Sequence, residues 1–126
     1  MREIKFRGKR LDNGEWVVGS YIKAENRDLS IAHQIVPYES GEAVREVDPV
    51  TVGQYTGLKD KNGKEIYEGD ILLDESGVYA VVYYSMGTFC VDFGEGFDLQ
   101  YFTDGIHEIC DVVSNIHDDP ELLKTE

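Results

Sequence analysis

The stretch that decides the fold is Leu58-Lys59-Asp60-Lys61-Asn62-Gly63-Lys64-Glu65-Ile66. A two-residue turn at its centre would place Asp60 opposite Glu65, and like charges directly opposite each other destabilise a sheet. A three-residue turn, with Gly63 in the left-handed conformation, places Asp60 opposite Lys64 instead. The sequence therefore predicts an antiparallel hairpin in this second register.

Strand patterns extend from this hairpin in both directions. Toward the N terminus, residues 2–8, 15–24 and 29–36 are predicted strands, and the polar segment that follows contains a short strand at 43–47. Toward the C terminus, the strand pattern recurs at residues 68–73, 78–84, 88–93, 97–102 and 108–116. Near the C terminus, Pro120 fits the first position of a short helical turn. The chain is therefore predicted to be all-β, with one C-terminal helical turn.

The spacing of the last five strands predicts how the chain is divided. Short strands that recur about every ten residues are typical of a small closed β-barrel, here of the SH3-like type. We predict an N-terminal β-hairpin or meander subdomain over residues 1–66 and an acidic SH3-like barrel with its tail over residues 67–126. No Pro/Ser-rich linker separates them, so the two are expected to pack together as one compact unit.

Charge is distributed very unevenly along the 126 residues. Residues 1–67 contain eleven basic and eleven acidic side chains, whereas residues 68–126 contain fourteen acidic side chains and Lys124 alone as a cation. Phosphate binding requires clustered cations, and an acidic field repels anionic membranes. We therefore expect no nucleic-acid or membrane partner, and we expect a protein partner with a basic surface. The alternative is that the acidity only maintains solubility.

The sequence also bears on the compartment. Its longest uninterrupted apolar run, residues 78–84, contains seven residues, whereas a membrane helix needs about 20. The first residues do not lead into the apolar segment and small-residue cleavage site of a signal peptide. We therefore expect the protein in the cytoplasm.

No segment matches a recognised catalytic, metal or cofactor motif. Cys90 and Cys110 are expected to be free thiols, because the chain has no secretion signal. His107 lies three residues before Cys110, and on a strand the two side chains would point to opposite faces instead of sharing a zinc ion. Residues 60–65 lack the ligands of a calcium loop, and residues 94–96 lack the context of a nucleotide loop. We expect no catalytic residue, no metal site and no cofactor.

Aromatic and acidic side chains of the second half are the candidate protein contacts. Aromatic side chains in cation-poor surroundings favour core or protein-contact roles over base stacking. The candidate contact residues are Tyr79, Tyr83, Asp92, Glu95, Asp98 and Tyr101. Two alternatives remain open: an enzyme with a site assembled between the two subdomains, and a homo-oligomer formed through the hairpin at residues 78–93.

Several segments are similar to one known family. They are Arg2-Glu3-Ile4-Lys5-Phe6-Arg7-Gly8-Lys9-Arg10, Asp12-Asn13-Gly14-Glu15-Trp16-Val17, the block at residues 54–71 and the tail at residues 114–123. Together they resemble the YopX-like proteins, which are encoded mainly by bacteriophages and prophages. The resemblance implies an all-β protein that acts in the bacterial cytoplasm. It implies no reaction, because no activity is established for the family.

Overall fold

The computed structural model describes residues 3–39, 41–94, 100–101 and 105–123, with backbone alone at 100–101. The chain forms two compact units, Met1–Tyr55 and Thr56–Glu126. Strands dominate both units, and the helical segments in the described ranges are short 3₁₀ turns at Pro49–Thr51, Ile106–Ile109 and Pro120–Leu123. These findings confirm the all-β prediction and the C-terminal helical turn. Within the described residues, no helix has the length and apolar character needed to cross a membrane.

The first unit is an antiparallel sheet. Its strands are β1 (Phe6–Lys9), β2 (Trp16–Glu25), β3 (Ile31–Pro37), β4 (Arg45–Glu46) and the first residues of β5 (Gly53–Lys59). They are ordered β4-β3-β2-β1-β5. The sequence predicted four of these strands, with the first beginning earlier, at residue 2, than the structure shows.

The pairings of the first unit also return from β4 to β1. Arg10, which follows β1, forms a bridge with Val47, which follows β4. The N–H of Leu11 also donates to the carbonyl oxygen of Glu46 at 3.0 Å. The pairings therefore form a ring, β1-β2-β3-β4 and back to the end of β1, and the buried side chains of Ile35 and Val47 lie on one face of these strands.

The second unit contains the end of β5, β6 (Glu65–Tyr67) and a five-stranded sheet of order β10-β9-β8-β7-β11. The strands of this sheet are β7 (Asp70–Leu73), β8 (Tyr79–Ser85), β9 (Thr88–Asp92), β10 (Gln100–Tyr101) and β11 (Asp111–Asn115). They share one hydrophobic core, formed by Ile66, Leu72, Ala80, Val82, Phe89, Val91, Cys110 and Val112.

The hairpin β5–β6 has the register that the charge pattern predicts. The N–H of Asp60 donates to the carbonyl oxygen of Lys64 at 2.8 Å, and Gly63 has a φ of +85°. Asp60 is only 7% exposed. One carboxylate oxygen of Asp60 accepts the N–H of Asn62 and of Lys64, and the other accepts the N–H of Val112 on β11, each at 2.9 Å. This single carboxylate therefore orders its own turn and holds it against β11.

Other predictions are corrected or refined. In the described residues the five-stranded sheet is open in order, with β10 and β11 at its ends, so the pairings confirm an all-β unit and do not confirm the closed SH3-like barrel. The prediction placed a subdomain boundary at 66/67 and stays a prediction; the compact units of the structure divide between Tyr55 and Thr56. The predicted strand at 108–116 is shorter, because Gly105, at a φ of +78°, begins a 3₁₀ turn before β11.

Candidate protein-contact surface

The hairpin β8–β9 is the least charged part of the second unit. Residues 76–91 contain no charged side chain, although Glu75 precedes them and Asp92 follows them in a chain with 29% charged residues. The inward-facing side chains, such as Val82 and Val91, belong to the hydrophobic core. Burial explains those positions, but it does not explain the apolar residues that remain exposed.

The tip of this hairpin has an unusual residue for its geometry. Ser85 pairs with Thr88, which leaves a two-residue turn of Met86 and Gly87. Both turn residues have positive φ, 52° and 83°, as in the mirror-image type I′ turn that favours Asn-Gly. A left-handed conformation costs a non-glycine residue about 1–2 kcal/mol. The Met86 side chain is nevertheless 98% exposed, so packing within the described structure provides little compensation for this cost.

Tyr84 extends the apolar character of the tip. Its side chain is 50% exposed, and its ring stands edge-on to the buried ring of Phe89 with centroids 5.0 Å apart. This aromatic contact holds the Tyr84 ring beside the turn, where the residue is half exposed to solvent. We call Tyr84, Ser85, Met86, Gly87 and Thr88 the tip surface.

Acidic residues extend from the same end of the sheet. Strands β7 and β9 run antiparallel to β8, and β11 runs antiparallel to β7. The first residues of β7 and the last residues of β11 therefore lie at the same end of the sheet as the tip surface. The segments that continue from these strand ends carry Glu68, Asp118, Asp119 and Glu121, and residues 68–123 contain no lysine or arginine. We call the four residues Glu68, Asp118, Asp119 and Glu121 the acidic border.

Backbone hydrogen bonds fix this acidic border. The N–H of Gly69 donates to the carbonyl oxygen of Val82 at 2.8 Å, and the carbonyl oxygen of Gly69 accepts the N–H of Ile116 at 2.9 Å. The side-chain oxygen of Asn115 accepts the N–H groups of His117 and Asp118 at 3.0 and 2.9 Å. The central block and the tail, two segments that carry the family resemblance, therefore meet here. The 3₁₀ turn at Pro120–Leu123 then packs against β8.

The structure describes only part of the predicted contact set. The register places Tyr79, Tyr83 and Asp92 on one face of the sheet, where Tyr79 and Asp92 are exposed and Tyr83 is partly buried. Tyr101 pairs through its backbone with Cys90, and its side chain is outside the described structure. Glu95 and Asp98 also lie outside the described residues.

Sequence reasoning missed Met86 and Tyr84 as contact candidates. Residues 85–87 lie between the predicted strands at 78–84 and 88–93, and a large apolar side chain there occupies a turn position that favours asparagine. That mismatch, inside a long uncharged segment of an acidic half-chain, is the signal that was available. Leu29 is the only other described non-glycine residue with positive φ, and it too is exposed.

The two thiols are unsuited to nucleophilic chemistry. Cys90 and Cys110 are both buried and free. Burial, and then the carboxylates of Asp74 and Asp111, raise the pKa of the Cys110 thiol to about 11, so this thiol is protonated at neutral pH. His107 lies in a 3₁₀ turn, and therefore the strand argument against a shared zinc ion does not apply. Among the described side chains, no group of three or more His, Cys, Asp and Glu is arranged to hold a metal ion.

Comparisons with known proteins place the chain in a family. No curated protein matches it. The fold is similar to the crystal structure of protein EF1440 from Enterococcus faecalis, with a TM-score of 0.62 and 24% identity over 98% of this chain and 100% of that chain. A family model described as YopX protein matches residues 5–124. Since this match covers nearly the whole sequence, the chain belongs to the YopX protein family.

Proposed function

We propose that this chain is a protein-binding module, encoded by a phage or prophage and acting in the bacterial cytoplasm, that docks a basic protein through its tip surface. The observation that supports this proposal most strongly is Met86, an almost fully exposed apolar side chain in a turn conformation that disfavours it. Backbone strain that folding does not require is concentrated at functional sites. The phage origin is the part of the proposal that comes from the resemblance to YopX-like proteins.

In this mechanism Met86 and Tyr84 supply the binding energy. Methionine is flexible and polarizable, so it adapts to apolar pockets of irregular shape. Transfer of such a side chain from water into a pocket contributes about 1.5–3 kcal/mol. Tyr84 adds apolar area together with a hydroxyl at its edge, a combination that is enriched at protein interfaces.

The acidic border supplies attraction at long range. Residues 68–123 contain no lysine or arginine, so the field of this half of the chain attracts a basic partner and accelerates the encounter. The Debye length falls from about 10 Å at 0.1 M salt to about 3 Å at 1 M. The association rate is therefore expected to fall with salt, whereas the dissociation rate depends on the apolar contact.

The test compares variants that change one property at a time. Met86→Asn removes the apolar side chain and fits the turn better, and Glu121→Lys changes the charge at an exposed border position. Val113→Asn is the matched control, since Val113 is 41% exposed on β11, at the far edge of the sheet from β9. Each variant is used to capture proteins from bacterial lysate, and the rates of the captured protein are then measured with purified components.

A partner that Met86→Asn loses and Val113→Asn retains supports the proposal. Glu121→Lys should slow its association without changing its dissociation. A partner retained equally by all variants contradicts the proposal. If Met86→Asn abolishes self-association in sedimentation experiments and changes no heterologous capture, the hairpin serves homo-oligomeric assembly instead.

A further inference from the structure

Strand β2 is longer than the strand that covers its edge. It pairs with β1 from Trp16 to Gly19. Its remaining residues, 20–25, pair with β3 on one side, and within the described residues no strand pairs with them on the other side. We call residues 20–25 the β2 edge. An open edge of this kind presents unpaired backbone groups to which another chain can add a strand.

The backbone groups of three residues point out of the β2 edge. Successive residues of an antiparallel strand form hydrogen bonds alternately to one side and to the other. The N–H of Asn26 donates to the carbonyl oxygen of Ser30 at 2.8 Å, and the register between β2 and β3 is uninterrupted. The even-numbered residues therefore bond to β3, and the N–H and C=O groups of Tyr21, Lys23 and Glu25 point away from it.

The segment before β1 does not continue along this edge. A continued β1 would place Ile4 opposite Tyr21, where the carbonyl oxygen of Ile4 would accept the N–H of Tyr21. That carbonyl oxygen instead accepts the hydroxyl of Tyr38 at 3.2 Å, and Ile4 is exposed. The described pairing of β1 with β2 accordingly ends where Phe6 lies opposite Gly19.

Two exposed side chains give the β2 edge a self-complementary charge pattern. Lys23 and Glu25 lie two residues apart on one strand, so they point to the same face, and both are exposed. Among the described residues, neither side chain has a hydrogen bond or an ion pair. When two copies of such a strand pair antiparallel about the residue between them, each lysine lies opposite the glutamate of the other copy.

One two-fold register satisfies both the charges and the space along the edge. A register centred on Lys23 or on Glu25 places like charges opposite each other, which is destabilising. A register centred on an earlier residue of the edge runs the second copy into β1, which already pairs with Gly19. The register centred on Ala24 avoids both conflicts and places the small side chains of the two Ala24 residues opposite each other.

We propose that the β2 edge pairs antiparallel with the β2 edge of a second copy of this chain, centred on Ala24. Backbone hydrogen bonds join Lys23 of each copy to Glu25 of the other, and the two side chains of each pair attract. Residues 1–55 contain eight basic and nine acidic side chains, so this region is nearly neutral and two copies of it do not repel strongly. The interface is separate from the tip surface and does not depend on the protein partner proposed above.

Ala24→Cys tests the interface and its register in the full chain. Opposed residues that do not exchange hydrogen bonds have Cα atoms about 4.5 Å apart, within the range of about 4.4–6.8 Å that a disulfide spans. This variant should form an intermolecular disulfide under mild oxidation. Ile22→Cys is the matched control, because Ile22 is exposed on the same face of β2 and lies opposite Asn26 in this register. The native Cys90 and Cys110 are buried.

Charge variants test the pairing in solution by sedimentation of the full chain. Lys23→Glu should weaken dimerisation about tenfold, because two attractive pairs become two repulsive pairs. Glu25→Lys should have the same effect. Lys23→Glu combined with Glu25→Lys should restore the affinity of the wild type, since it restores both attractive pairs. Thermal unfolding verifies that every variant is folded.

Three results would overturn the proposal. The first is a wild type that stays monomeric at millimolar concentration while Ala24→Cys cross-links no more than Ile22→Cys, in which case Lys23 protects the edge from pairing. The second is a combined charge variant that dimerises no better than either single variant. The third is loss of the dimer in Met86→Asn, which would assign self-association to the tip surface instead. The β2 interface predicts that Met86→Asn dimerises like the wild type.

Discussion

Two hairpins of the second unit, β5–β6 and β8–β9, fill their left-handed turn positions in opposite ways. In the turn of β5–β6, the left-handed residue is Gly63, and the buried carboxylate of Asp60 satisfies the backbone around it. In the turn of β8–β9, the first left-handed residue is Met86, which is strained and exposed. The first turn therefore satisfies the requirements of folding. The second turn departs from these requirements, and this departure is why we propose that it serves binding.

The largest effect is expected from Asp60→Ala. The substitution leaves three backbone N–H groups without their acceptor, and that of Val112 is buried. We expect a loss of about 3 kcal/mol in the free energy of unfolding, measured by urea denaturation.

Asp74→Ala provides the matched control for that experiment. The Asp74 carboxylate also accepts two backbone N–H groups, those of Ser76 and Val78, at 2.9 Å each, but its turn lies at the surface. Water can replace the acceptor there, so we expect a loss of about 1 kcal/mol or less. Equal losses of unfolding free energy in the two variants would show that the Asp60 carboxylate stabilises the fold no more than a surface turn carboxylate does.

A smaller effect is expected from Gly63→Val. A Cβ at Gly63 meets no atom within 4 Å, so the change acts through the φ of +85° alone. The expected loss is about 1–2 kcal/mol in the free energy of unfolding. Gly63→Asn should lose less, because asparagine tolerates the left-handed region. Coincident urea midpoints for wild type and Gly63→Val would contradict the assigned turn.

The pH dependence of stability should also depend on Asp60. Burial by itself raises the pKa of Asp60, but the N–H groups of Val112, Lys64 and Asn62, together with the charge of Lys64, outweigh it and hold this pKa below its ordinary value of 3.8. The stabilisation is therefore complete above the unfolded-state pKa and is lost as the pH falls through the lower folded-state pKa.

Asp60→Asn tests this dependence, because the amide cannot titrate. Urea midpoints measured from neutral pH into the acid range should fall more steeply for wild type than for the variant. Protonation of Asp60 in the wild type should cost less stability than Asp60→Ala, because a protonated carboxyl still offers an acceptor oxygen. Parallel pH profiles would show that Asp60 does not couple folding to proton binding.

The smallest change in stability is expected from Met86→Asn, and it has the opposite sign. Asparagine adopts the left-handed conformation more readily than methionine, so the variant should be more stable by about 0.5–1 kcal/mol. Urea denaturation of wild type and Met86→Asn measures this difference. A destabilised variant would show that Met86 contributes to folding and would remove the contrast between the two turns.

Sequence reasoning succeeded where the determining contacts are local. The register of β5–β6 follows from neighbouring charges such as Asp60 and Lys64. The hydrogen bond from Val112 to Asp60 joins residues 52 positions apart, and no pattern in a single sequence indicates it. The bridge between Arg10 and Val47, which completes the ring of the first unit, is also long-range, and therefore the ring was not foreseen.

The contact surface was predicted in part for a related reason. Charge and aromatic content, which are visible in composition, led to the expectation that protein contacts lie in the second half, and the proposed tip surface also lies there. The exposure of Met86 and Tyr84 depends on where the core of the second unit ends along β8 and β9, and that limit is set by packing between strands.

The central claim is that Met86 is present for binding. Its most direct test is the dissociation constant of the captured partner for Met86→Asn relative to wild type, measured with both proteins fully folded. The claim predicts that the variant binds at least about tenfold more weakly, as expected when a central apolar anchor is removed. An unchanged dissociation constant would contradict it.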